Sequence, residues 1–176
     1  VHLLLKGKKG DQTIYSLFAF PVFGDDVVEY ALEIPGKSIS SLDLGINSEE
    51  RIIVSGLFHE NFEPSWKVNG LFYLRVDRES GTVEANGIYR FDTDLLGLYS
   101  GENEKQEREQ FNHFRVVSLL PSTANSATLV AEYFKQEEVC EADYRTGIMM
   151  CYQAYSCDKT LLVQLNEQGA TDWYLT

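Results

Sequence analysis

The feature that most constrains this 176-residue chain is that it repeats itself. Arg51–Gly56 (RIIVSG) and Ala127–Glu132 (ATLVAE) each follow a short strand-like run, Leu42–Ile46 and Ser118–Ser122. The offset is 76 at both points (127 − 51 and 118 − 42). A second pair, Leu71–Val83 and Leu161–Thr171, aligns Gly81 with Gly169 at an offset of 88, so the second copy carries about a dozen extra residues. Each copy reads as strand, strand, loop, strand, glycine turn, strand. Units of this kind bury their faces by stacking on neighbours. On this alignment Ile53 is expected to be equivalent to Leu129, and Val76 to Leu165.

Strand signals spaced by about 10–12 residues indicate an all-β fold. Arg51–His59 is apolar on both parities, as expected of a strand covered on both faces. Asp77-x-x-Ser80-Gly81 is a hairpin signal, and Asn166–Gly169 stands in the corresponding place of the second copy. Asn103–Asn112 has helix-forming residues and reads as part of a charged, exposed insertion. A four-stranded unit used twice fits a β-propeller better than a sandwich. The expected organisation is a single β-propeller-like segment, built of consecutive four-stranded antiparallel meander blades. It has a partial blade at 1–36, a blade at 37–91, an insertion at 92–110 and a blade at 111–176. That makes about two and a half blades, so the chain alone does not close a ring, and it is expected to belong to a longer chain or complex.

The net charge of −12 argues against nucleic acid, whose phosphates need clustered Lys and Arg. No apolar run approaches the ~20 residues of a membrane-spanning helix, so no transmembrane segment is expected. Three cysteines, Cys140, Cys151 and Cys157, lie in the longer part of the second copy. They read as one local bridge, Cys140 with Cys151 or Cys157, plus a free thiol, or else as three thiols. No spacing supports a zinc site. A bridge would imply an oxidising compartment.

Within 37–176 the words Ala127–Phe134, the cysteine-bearing loop and Thr160–Leu175, with Glu132, Leu165, Asn166, Gly169 and Trp173 at set places, resemble exported β-propeller-like repeat proteins of the Bacteroidetes type. The first copy departs from that pattern, with Gly56 in place of Glu132. The resemblance implies a periplasmic, outer-membrane-associated or extracellular protein and carries over no catalytic residue.

Ser41-x-Asp43-x-Gly45 matches half of the Asp-box turn of sialidase-like propellers, but the closing aromatic is missing and Leu42 and Leu44 read as strand positions. His59–Glu60 reads as a surface histidine beside a carboxylate. No nucleophile, phosphate or dinucleotide motif is present, so no catalytic residue, metal or cofactor is assigned. Phe62 and Trp66 in one loop, and Glu132 at a strand end, are the candidate contact residues for a protein or glycan partner. The expected function is a non-catalytic scaffold or binding segment of a larger exported or cell-envelope protein, with contacts on loops 60–68, 92–112 and 136–158. The alternative is part of a glycan-processing propeller enzyme of glycoside hydrolase type.

Overall fold

The computed structural model describes residues 2–9, 12–19, 27–32, 34–60, 67–91, 113–122, 126–157, 159–166 and 171–175. The chain is all-β, and every strand pair is antiparallel. Strands β1 (His2–Lys9), β2 (Gln12–Ala19) and β3 (Val28–Leu32) form a first sheet. Strands β4 (Lys37–Ile46), β5 (Ile52–Glu60), β6 (Gly70–Val76) and β7 (Val83–Arg90) form a second, in sequence order. The third has the order β8–β9–β12–β13, from β8 (Phe114–Pro121), β9 (Ala127–Tyr133), β12 (Thr160–Leu165) and β13 (Thr171–Leu175). Between β9 and β12 stands a separate two-stranded ribbon, β10 (Lys135–Ala142) and β11 (Met149–Ser156).

The second sheet lies between the other two, because its strands are apolar on both parities. Even positions of β5 and β6 (Ile52, Val54, Phe58, Phe72, Val76) pack with Tyr15, Leu17 and Leu32 of the first sheet. Odd positions (Ile53, Leu57, Leu71, Tyr73) pack with Leu119, Leu129, Leu161 and Val163 of the third. Alternate residues of a strand point to opposite faces, so two cores are drawn from one strand. His59 sits on the odd face and is buried at 8% exposure, contrary to the surface position expected for it. The odd face stays covered to the end of β5.

The same faces correct the alignment read from the sequence between 42–58 and 118–134. Ile53 and Leu129 are not equivalent; they meet in one core from facing sheets. Ile46 pairs with Ile52, and Pro121 with Ala127, which is an offset of 75 (121 − 46 and 127 − 52). On that register Ile52 corresponds to Ala127 and Val54 to Leu129, each directed at the preceding sheet. A one-residue slip exchanges every side chain between faces, which is the whole of the error. Val76 and Leu165 close their third strands opposite Ile52 and Ala127 and do correspond.

The second and third sheets are joined through Ser41, Asp43 and Gly45. These lie on the odd face of β4, and the residues form a strand rather than a turn. Ser41 Oγ accepts the Val116 N–H at 3.0 Å, and Asp43 Oδ2 accepts the Leu119 N–H at 2.9 Å. A Cβ on Gly45 would stand 2.4 Å from Pro121 Cγ, so only glycine lets β8 approach so closely. Spacing of i, i+2, i+4 places all three on one face, aimed at the backbone of β8. Tyr15 ties the first sheet to the second in a similar way, its hydroxyl donating to the Ser40 carbonyl at 3.4 Å. Burial raises the Tyr15 pKa.

Candidate functional site

The β10–β11 ribbon lies outside both cores. It corresponds to the loop expected over 136–158, where both halves are strands joined by a turn. Asp143-Tyr-Arg-Thr146-Gly147 turns the chain between the two strands. Asp143 Oδ1 accepts the Arg145 N–H at 2.8 Å, and Gly147, at φ 69°, donates its N–H to the Asp143 carbonyl at 2.7 Å. Asp77-Arg-Glu-Ser80-Gly81 is built alike: Asp77 Oδ1 accepts the Ser80 N–H at 2.7 Å, and Gly81 has φ 70°. Both turns therefore carry the pattern Asp-x-x-Ser/Thr-Gly, a signal that marks the ribbon in the sequence as clearly as it marks β6–β7. Hydrogen bonds to the ionised carboxylate lower both aspartate pKa values, chiefly from the Ser80 N–H at Asp77 and the Arg145 N–H at Asp143.

Cys140 and Cys151 are opposite residues of the ribbon and form a disulfide, with Cα atoms 4.1 Å apart. Cys157 is free and exposed. Glu138 lies near the two sulfurs, but these are bonded to each other and offer no thiolate to a metal. Around the bridge, Tyr144, Ile148, Met149, Met150, Tyr152 and Tyr155 are all exposed, Tyr144 at 99%. The Tyr152 hydroxyl donates to Glu141 at 3.0 Å, and this bond raises the tyrosine pKa. The ribbon is rooted on the third sheet by a short stack: Tyr155 lies 5.3 Å from Phe134, and the Arg115 guanidinium sits 4.3 Å over the Phe134 ring.

Of the contact residues expected from the sequence, Phe62 and Trp66 lie outside the described residues, as do the 92–112 segment with its expected helix and the end of the Asn166–Gly169 turn. Glu132 is half-buried on the third sheet, between Arg115 and Thr160 in register, on the face turned away from the second sheet. Thr128 and Gln164 share that face and are hydrogen bonded at 2.6 Å. Glu132 and the cysteines are thus not brought into one site.

An open apolar cavity of about 610 Å³ lies between the end of β3 and strands β6–β7, lined by Leu32, Ile34, Phe72, Val76, Val83 and Ile88 among others. Its described lining holds no titratable side chain. Two ion-pair clusters brace the second sheet: Glu60 with Lys37 (3.1 Å) and Arg90 (2.8 Å), and Arg51 with Asp77 and Glu84, the latter shared with Arg75. Each carboxylate in them is matched by a cation, the pattern of structural pairing.

Compared with protein-family models, curated proteins and solved structures, the chain matches none.

Proposed function

We propose that this chain is a non-catalytic binding segment of a larger exported or cell-envelope protein, built on a propeller-like repeat plan, with the β10–β11 ribbon as its contact surface for a protein or glycan partner. The observation that carries the reading is the ribbon itself. It adds nothing to either core, it exposes a run of aromatic and sulfur-containing side chains, and a disulfide holds its shape. Exposed apolar clusters of this kind mark interaction sites. A fixed shape lowers the ordering cost of binding. The propeller-like plan is supported by three successive sheets stacked face to face, with β4 and β8 as corresponding first strands in contact. The disulfide supports an oxidising location. No helix among the described residues is long and apolar enough to cross a membrane.

The test replaces residues 136–155 by a short turn. The body should keep its melting temperature, while retention on a glycan array and on immobilised envelope proteins is lost. A variant that binds as well as the parent removes the ribbon from the function. The alternative, a glycan-processing enzyme, needs two carboxylates about 5–10 Å apart facing one pocket; turnover of a glycan panel by the intact chain would select it.

A further inference from the structure

Among the described residues, four sheets leave eight edge strands: β1, β3, β4, β7, β8, β10, β11 and β13. Seven carry charge, for example Lys8 on β1, Glu29 on β3, Asp43 on β4, Glu84 on β7, Arg115 on β8, Glu138 on β10 and Asp172 on β13. β11 (MMCYQAYS) carries none, has no proline, and pairs with β10 without a register shift. Proteins guard exposed edges with charges, prolines and bulges. β11 has none of these guards, although it belongs to a chain of net charge −12.

Its backbone has a definite polarity. Asp143 N–H donates to the Ile148 carbonyl at 3.0 Å, which makes that a hydrogen-bonded pair. Alternation then makes Cys140–Cys151 a non-hydrogen-bonded pair, in keeping with their 4.1 Å Cα separation. So the N–H and C=O groups of Met149, Cys151, Gln153 and Tyr155 point away from β10 toward the free edge, where no strand pairs with them among the described residues.

We propose that β11 is a self-pairing edge, by which two copies of this chain join antiparallel about a two-fold axis at Tyr152, making one four-stranded sheet in the order β10–β11–β11–β10. The proposal rests on the reading of the ribbon as the contact surface and names its partner. A centre at Tyr152 sets Met149 opposite Tyr155 of the second copy and Cys151 opposite Gln153. Every outward group is then matched across the axis, and the whole of β11 is used. One face of the seam carries Met150, Tyr152 and Ala154 from each copy. The like-charged β10 strands end up three strand spacings apart, about 14 Å, beyond the ~8–10 Å screening length at physiological salt. An acidic molecule therefore meets its own copy along the one edge where its charge is absent. With eight residues a side, against the ~20–30 of a standard interface, the dimer is weak and concentration-dependent.

Sedimentation of the intact chain should show a monomer–dimer equilibrium that shifts toward dimer as protein or salt concentration rises. Gln153→Pro removes an outward N–H without touching the ribbon's own ladder, and should abolish the dimer while leaving the Cys140–Cys151 bridge formed. In a Cys157→Ser background, Tyr152→Cys should cross-link two copies on oxidation. Ala154→Cys, set opposite Met150 of the second copy, should not. A chain that stays monomeric at millimolar concentration, a dimer unaffected by Gln153→Pro, or equal cross-linking at both positions overturns the proposal. Gln153→Pro leaves Ile148, Met149 and Tyr155 exposed, so retained glycan or protein binding by this variant would show the contact surface surviving the loss of self-pairing.

Discussion

β5 and β11 are nearly the same length and both rich in large uncharged side chains, yet they meet opposite fates. Every residue of β5 from Ile52 to His59 is buried, whereas in β11 only Ala154 is as much as half-buried. The difference lies in their neighbours. β5 has a strand on each side and a sheet on each face. β11 has one strand and a covalent bridge. Strand stability here is a property of what covers the strand, and composition alone does not assign it.

Phe58→Ala should produce the largest effect, because it opens a cavity in the core between the first and second sheets: a loss of ~3–5 kcal/mol in urea unfolding. A loss under about 1 kcal/mol would mean that β5 is not the shared wall of two cores. Asp43→Ala should cost ~1–3 kcal/mol by leaving the Leu119 N–H without its acceptor, and Asp43→Asn should recover much of it. Cys140→Ser with Cys151→Ser removes a bridge that closes a short loop, at a sequence separation of 11, inside an exposed ribbon. Its cost should fall on the ribbon. Body unfolding should move by less than ~0.5 kcal/mol, the scale of a surface change, while amide protection in β10 and β11 collapses. If the body melts with the ribbon, the two regions are not independent.

The smallest effect is with pH. The carboxyls of Asp77 and Asp143 are held below their ordinary value. A depressed folded pKa adds stability that is present above the unfolded value of ~3.9 and is lost as pH falls through the folded value. NMR titration should therefore find both turns intact at pH 5 and loosening only below about pH 4. Midpoints at or above the ordinary aspartate value would remove the turn hydrogen bonds as their cause.

The sequence made the all-β class legible, and the burial of β5 on both faces, because spacing and parity encode them directly. It did not make the register legible, for the same reason. A strand apolar on both parities gives an alignment no way to tell one face from the other, so nothing in it separates an offset of 76 from one of 75. β10 was hidden by Lys135, Glu137, Glu138 and Glu141, which read as loop because they serve no core. Gly56 stood out against Glu132 only on the offset of 76; at 75 it corresponds to Ala131, and its necessity is local: a Cβ there would stand 2.3 Å from the Ser41 carbonyl oxygen, beside the irregularity between Ile39 and Ser41. The candidate site was half legible. The cysteine cluster pointed to the ribbon, while the charge-free edge emerged only once the strands were set in order.

Ser41, Asp43 and Gly45 grip β8 directly, and this fixes where the molecule's architecture is written. The join between neighbouring sheets is made by side chains of one first strand set against the backbone of the next. One fragment carrying β4 and another carrying β8 would hold the two halves of a fitted joint, able to find each other as the parts of a split protein do.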